Sequence, residues 1–190
     1  ETRFIVQEPD ETTAISVILI AEDGGRSIMV HRGAAAMLTK RDMPLDELDT
    51  RWLHITSLGG NIELLETLLK WAKTKKVRVS FNPGMKEINK KEKLRRLLPM
   101  VEVLFLNREE AGALWELDVM DEKIWKDGLM PSESMVTVIT DSSRGGKVIE
   151  KGKVKYWRGT KIKKVVDTTG AGDAFASGYV AALLYGHNYE

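Results

Sequence analysis

The sequence predicts an α/β fold on a mainly parallel central sheet with helices on its faces. Three observations predict it. From Arg41 onward, short β-branched and apolar runs alternate with helical patterns. Gly, Asn and Pro punctuate the ends of these runs, as in Gly59-Gly60-Asn61 and Asn82-Pro83-Gly84. Near its end the chain carries a long run of small apolar residues, Gly172 to Leu184, entered through a glycine-rich turn.

The elements can be justified in order. Thr13 to Ala21 is β-branched and apolar, Asp23-Gly24-Gly25 has turn chemistry, and Ser27 to His31 resumes a strand. This hairpin breaks the β–α rhythm and reads as an edge pair or a small lid. Trp52 to Leu58 is the next strand, stopped by Gly59-Gly60. Ile62, Leu65, Leu68, Leu69 and Ala72 then share one helical face, with Asn61 as the cap. "VRVSFNPG" is a strand and "KKEKLRRLLPM" a helix with a solvated basic face. "VEVLFLN" is a strand, "REEAGALWEL" a helix, "EKIWKDGLM" a further helix and "SMVTVIT" a strand. "GGKVIE-KG-KVKYW" is a hairpin, and "KIKKVVD" leads to a strand end at Val166. Residues 1–36 are expected to form lid strands with a return into the core, and 37–190 the α/β core.

Composition bounds the function. The 190 residues suffice for one domain or one and a half, and 43% hydrophobic with 30% charged content describes a globular chain. Basic and acidic residues number 29 and 28, a net charge of +1, which gives no reason to expect a nucleic-acid groove. The absence of cysteine excludes disulfides, thiolate catalysis and Cys-ligated zinc, and gives mild support for a reducing compartment and nothing stronger; the expected location is cytoplasmic. No apolar run reaches the roughly 18 residues of a membrane span. His31, His54 and His187 show no metal-ligand spacing. His54, inside an apolar strand, is expected to be packed or hydrogen-bonded there. The five tryptophans read as packing.

In an open α/β sheet, ligands bind outside the carboxyl ends of the strands. That singles out the loops at Gly59 to Asn61, Asn82 to Gly84, Asn107 to Glu110 and Asp167 to Asp173. In the last of these, glycines admit a ligand close to the backbone, and free amides at a helix start attract an anion. Asp173, in the first turn, stands where a carboxylate can take a proton from a hydroxyl attacking phosphorus. The residues alone leave a plainer reading open, in which Asp173 is a helix-dipole partner and the glycines are turn residues. The loop is neither a P-loop nor a dinucleotide fingerprint.

"DTTGAGDAFASG" resembles the carboxy-terminal signature of the ribokinase-like (PfkB) family of sugar kinases. Collinear stretches resemble the same family: "LFLNREEAGAL" its Asn-x-x-Glu loop, "VTVITDSSRGG" its nucleotide-loop strand, "VRVSFNPG" its Asn-Pro strand, and "DGGRSIMVHRGAAAML" its lid return. The resemblance implies a three-layer α/β/α fold with small lid strands, incomplete here. It implies an ATP- and Mg²⁺-dependent kinase that phosphorylates a hydroxymethyl of a sugar, sugar acid or nucleoside. Asp173 would be the base, and Gly170, Ala171 and Gly172 the anion hole. Asn107 and Glu110 would organise magnesium through water, although a helix N-cap fits that pair equally well. Thr140, Ser142 and Gly145 would line the ATP site, with Ser142 standing where the family usually has glycine. Asp167 and Thr169 match positions that hold K⁺ in some relatives, and ordinary turn hydrogen bonding explains them as well. No carboxylate stands at Gly59, Gly60 or Asn61, which argues against ribose.

Family members also have an N-terminal part and a C-terminal part that these residues do not match, so the chain reads as a kinase cut at both ends. A small-molecule substrate, no nucleic acid, no membrane and a homodimer through the lid strands are the expected partners. The rival readings are a sugar or nucleotide sensor without turnover, and a fragment inactive by truncation.

Overall fold

A computed structural model describes residues 4–20, 26–122, 125, 135–161, 165 and 167–188. The turn expected at Asp23-Gly24-Gly25, most of the helix expected over "EKIWKDGLM", and the strand end at Val166 lie outside the described residues. The chain divides into two units, Glu1–Asp49 and Thr50–Glu190. The sequence reading drew this boundary at residue 36. The structure groups 37–49 with the hairpin.

In the first unit, β1 (Ile15–Ile20) and β2 (Arg26–His31) form an antiparallel ribbon in register from Ile15 opposite His31 to Ile20 opposite Arg26. Successive side chains of a strand alternate faces. Ile15, Val17 and Leu19 therefore lie on one face and Ile18 and Ile20 on the other, all of them exposed. After the ribbon, Gly33–Ala36 forms a single 3-10 turn.

The second unit is built on a six-stranded sheet. Its strands are β3 (Trp52–Ile55), β4 (Arg78–Phe81), β5 (Val103–Asn107), β6 (Val136–Thr140), β7 (Gly145–Glu150) and β8 (Lys153–Arg158), in that spatial order. β3 to β6 pair in parallel, and β7 and β8 continue the sheet antiparallel. The reversal follows from loop length. The short segment 141–144 can only turn the chain back beside β6, whereas a parallel return needs a crossover of a dozen or more residues. Lys151 and Gly152, both at positive φ, close the β7–β8 hairpin as the primed turns do.

The helices are α1 (Ile62–Lys75), the short α2 (Met85–Ile88), α3 (Lys91–Leu97), α4 (Arg108–Trp115) and α5 (Ala171–Leu184). Asn61 caps α1 by accepting from Leu64 N at 3.0 Å, as its sequence position suggests. One sheet face meets α5, through Trp52, Val103, Phe105, Val136, Val138 and Val148 against Ala176, Val180 and Leu183. The alternate residues Leu104, Leu106 and Ile139 point to the opposite face and are also buried. Both faces of the parallel strands are thus apolar, as the near-continuous runs "VLFL" and "VTVI" require. Among the described residues, no helix is long and apolar enough to cross a membrane.

The hairpin is tied to α5 through a glycine. Gly146 lies opposite Trp157 across the β7–β8 pair, and the Trp157 ring stacks on Phe175 of α5 at 5.5 Å and 11°. A Cβ on Gly146 would stand 2.5 Å from the Trp157 ring and 2.3 Å from the Ile139 carbonyl. Gly146→Ala is expected to cost at least about 2 kcal/mol by overpacking and to displace Trp157 from Phe175. A lowered Tm together with a changed near-UV tryptophan signal would show it, and an unchanged pair of readings would contradict it.

Candidate active site at the carboxyl ends of the strands

The β3–α1 loop is shaped by a residue that sequence reasoning missed. Glu87, on α2, is fully buried, and its carboxylate accepts four hydrogen bonds. Leu58 N and Gly60 N donate to Oε1 at 2.8 and 2.6 Å, and Ser57 Oγ and Gly84 N to Oε2 at 3.0 and 2.9 Å. Strand β3 ends at Ile55, short of the Leu58 expected from sequence, because the Leu58 and Gly60 amides turn to this carboxylate and not to a ladder partner. Lys90 Nζ closes the loop from the other side on Gly60 O at 2.8 Å. A local signal did exist: Gly84 and Glu87 have the three-residue spacing of a capping box, and Glu87 bonds back to the Gly84 amide. The carboxylate is spent inside the protein and so does not replace the absent loop carboxylate.

Asn107 and Glu110 form a reciprocal capping box at the start of α4. Glu110 N donates to Asn107 Oδ1 and Asn107 N to Glu110 Oε2, each at 2.8 Å. Burial raises the Glu110 pKa, and the Asn107 amide partly offsets this. Among the described residues, no group of three or more His, Asp or Glu is arranged to hold a metal. This donor set fits magnesium bound chiefly to phosphates and water, with a single protein carboxylate at hand, and not a protein cage.

Between β6 and β7 the chain makes a tight 3-10 turn, Ser142–Arg144. Thr140 ends β6. Ser142 has φ 51°, the left-handed region where a Cβ is disfavoured, which explains why glycine suits this position. Gly145 has φ 101° and is buried, and a Cβ there would stand 2.1 Å from Trp157 O. Backbone geometry therefore suffices to demand glycine at 145. Asp141 anchors the turn. Its carboxylate accepts from Arg144 at 2.6 and 2.8 Å and from Arg108 Nη1 at 3.0 Å.

Arg108 is itself buried. It also donates to Val119 O and, at 3.2 Å, to Glu122, and its guanidinium lies 4.5 Å from the centre of the Trp125 ring. Lys147, only 2% exposed, sits 4.3 Å from the same ring and donates to the Trp125 carbonyl. Burial and the Arg108 charge both lower the Lys147 pKa. Sequence inspection gave no hint of this cluster, whose members are scattered from 108 to 147.

At α5, Gly170 takes φ 74° as the N-cap, with no side-chain cap bond. Ala171 N turns inward to Thr168 O at 3.2 Å, and Ala174 N makes the first helical bond to Gly170 O. The amides of Gly172 and Asp173 have no acceptor among the described residues, and both residues are exposed. Among the described residues, the Gly172 and Asp173 amides are thus free donors, whereas the Ala171 amide is engaged. A Cβ added at Gly170 or Gly172 would meet nothing within 4 Å, so the loop faces open space. Asp173 is exposed beside these amides. Asp167 Oδ1 accepts from Thr169 N at 2.9 Å and from Thr169 Oγ1 at 2.8 Å, which shapes the turn into Gly170.

Two outcomes follow from the β6–β7 turn. The Arg144 hydrogen bonds, opposed by burial and aided by Arg108, hold the Asp141 carboxyl below its ordinary value of 3.8. A depressed folded pKa contributes stability above the unfolded value and loses it as pH falls through the folded value. Asp141→Asn is expected to cost on the order of 3 kcal/mol at neutral pH, because it leaves Arg108 buried without its carboxylate. Denaturant melts should show that deficit shrinking as pH falls below 3.8. Conversely, Ser142→Gly should raise the unfolding free energy by up to about 1 kcal/mol, since it relieves a left-handed non-glycine residue.

The family profile described as "pfkB family carbohydrate kinase" matches residues 1–190. A cytidine kinase of Thermococcus kodakarensis is 33% identical over 186 residues, covering 96% of this chain and 65% of that protein. A ribokinase of Haemophilus influenzae is 27% identical over 198 residues, covering 100% and 62%. The chain thus spans somewhat under two thirds of the length of these curated relatives. Among solved structures, the ribokinase of Cryptococcus neoformans var. grubii serotype A in complex with ADP superposes with a TM-score of 0.78 at 25% identity, covering 96% of this chain and 62% of that one. The Burkholderia thailandensis nucleoside kinase in complex with inosine shares the fold at a TM-score of 0.81 and 18% identity, over 100% of this chain and 61% of that one. A profile match along the whole chain and a shared fold lead to one conclusion: this chain belongs to the pfkB family of carbohydrate kinases.

Proposed function

We propose that this chain carries the phosphoryl-transfer end of an ATP-dependent kinase whose acceptor is a primary hydroxyl of a nucleoside or sugar. The observation that carries this reading is the start of α5, where two amides without an acceptor among the described residues stand beside an exposed carboxylate, Asp173. The acceptor oxygen attacks the γ-phosphorus in line, Asp173 takes the hydroxyl proton, and the bond from phosphorus to the β–γ bridging oxygen breaks to release ADP. The Gly172 and Asp173 amides hold the phosphoryl oxygens as charge develops on them. Magnesium, when bound with the nucleotide, would neutralise phosphate charge, with Glu110 as the protein carboxylate nearest in role. Thr140 and the Ser142–Gly145 turn flank the nucleotide, and Asp141 fixes that turn through Arg108 and Arg144.

The exposed apolar residues on both faces of the β1–β2 ribbon support its reading as a lid, with a second copy of the lid as a pairing partner. Residues 37–190 hold the core in this reading. The relative named cytidine kinase favours a nucleoside acceptor, and those named ribokinase keep pentoses in the test.

The experiment is ADP release by the protein expressed at the full length of its open reading frame, with ATP, Mg²⁺ and a panel of nucleosides, pentoses, hexoses and sugar acids. Turnover of at least one acceptor is expected, and Asp173→Asn should lower kcat by about a hundredfold or more. Saturable ATP binding without turnover of any acceptor would support a sensor. An Asp173→Asn protein of nearly full kcat would remove Asp173 as the base.

A further inference from the structure

The ladder between β5 and β6 ends at Asn107 opposite Thr140. Past that rung the two strands part. One continues into α4, whose first residue is Arg108, and the other into the 3-10 turn Ser142–Arg144, entered through Asp141. The residues that follow the last rung are thus an arginine and an aspartate, and their side chains meet. Arg108 Nη1 donates to Asp141 Oδ2 at 3.0 Å, with the two side chains only 9% and 8% exposed. The pair is one more rung, made of side chains, placed where the backbone bonds stop.

Each partner is fixed on its own side. Arg108 Nε donates to Val119 O at 2.7 Å, Nη2 donates to Glu122 at 3.2 Å, and the guanidinium carbon lies 4.5 Å over the Trp125 ring. A guanidinium is a rigid planar fork, so these contacts leave Nη1 aimed at one place. On the other loop, the Asp141 backbone closes the turn. Asp141 N donates to Gly145 O at 2.7 Å, and Arg144 N donates to Asp141 O at 3.0 Å. Where Asp141 is held, Ser142 to Gly145 are held with it. On the α4 side, Arg108 lies between Asn107 and Glu110, which bond to each other. Arg144 also pairs with Asp141, but it belongs to the same turn and its side chain is 67% exposed, so it stiffens that turn and ties it to nothing else. Among the described residues, Arg108 is the side chain that joins one loop to the other.

We propose that Arg108 is a positioning residue for a magnesium–nucleotide complex: through Asp141 it locks the Asn107–Glu110 cap and the Ser142–Gly145 turn into one preset unit. This rests on the reading of those two loops as nucleotide-facing. In that reading a nucleotide that carries its metal meets both loops at once. Preset loops spare the ordering cost that separately mobile loops incur on binding. A nucleotide without metal has no cation to engage Glu110, so it gains less from the lock.

The test is calorimetric titration with ADP, with and without Mg²⁺, of the protein at the full length of its open reading frame. It needs neither acceptor nor turnover. Mg²⁺ is expected to tighten ADP binding to the wild type. Arg108→Met keeps the apolar stem of the side chain and leaves Asp141 paired with Arg144. It should lose about tenfold in affinity for ADP with Mg²⁺, and less than about threefold without it. Arg108→Lys keeps a charge but not the fork, and should fall between wild type and Arg108→Met. Thermal melts run alongside. A merely structural role makes both affinities fall together with Tm, and that outcome overturns the proposal. So does an Arg108→Met protein whose affinity with Mg²⁺ stays within about twofold of wild type. If Arg108→Met does not fold, Arg108→Lys decides: a loss confined to the Mg²⁺ titration upholds the lock, and equal losses or none overturn it. A wild type that binds no ADP, or binds it without response to Mg²⁺, removes the nucleotide reading of the two loops and the lock with it.

Discussion

The burial of α5 on the sheet is the constraint on which the site depends. Ala176 allows the helix close to Phe105 and Val138, and Val180 and Leu183 continue the contact. A helix rises 1.5 Å per residue, so fixing Ala176 fixes Asp173 one turn earlier, at the rim where the strands end. The exposed amides and carboxylate of that turn are then a consequence of where the helix starts. The first amides of any helix lack internal partners. Here Gly170 enters through the left-handed region without a side-chain cap. A Ser or Asp at that position would ordinarily cover one of these amides. Leaving them bare sacrifices local helix stability, and bare amides at a helix start are suited to an anion, as the proposed function requires.

A second layer of organisation comes from buried charge. Glu87 and Asp141 are both carboxylates taken out of water, and both are surrounded by donors. Glu87 gathers backbone amides from the β3–α1 loop and from the segment after β4. Asp141 gathers two arginines. In each case a loop at the carboxyl end of the sheet is tied to a neighbour by a charge that would be costly to leave unpaired. Such ties have geometric specificity that apolar contacts lack, because the acceptor directions of a carboxylate are few. The loops around the rim are therefore set individually, while the sheet beneath them is set by packing.

Legibility in the sequence follows the same division. Periodicity exposed the sheet, α1 and α5, because their apolar faces repeat within a short window: Leu65, Leu68 and Leu69 are all buried, as their spacing indicates. Caps were legible for the same reason, Asn61 and the Asn107–Glu110 box being local patterns. What could not be read is what depends on residues far apart in the chain. Arg108 looks like one more charge at a helix start until Asp141, Glu122 and Trp125 come around it. Glu87 looks like a surface residue of a basic stretch. The boundary of β3 was overrun because the competing acceptor for Leu58 N lies 29 residues away in sequence. The family resemblance supplied Asp173 and its glycines. It did not supply which amides are free, since the turn at Thr168 decides that.

Several residues at the rim are accounted for by the fold alone. Gly145 must be glycine because of Trp157 O, whatever binds nearby. Asn107 and Glu110 are satisfied by one another before any metal arrives. By contrast, the features of the α5 start have no such internal justification: its outward glycines meet nothing, two of its amides have no acceptor among the described residues, and its carboxylate is exposed. Polar groups that the fold leaves open while it satisfies those around them are the ones whose arrangement calls for a ligand. By that criterion the proposed function draws its support from Gly172 and Asp173.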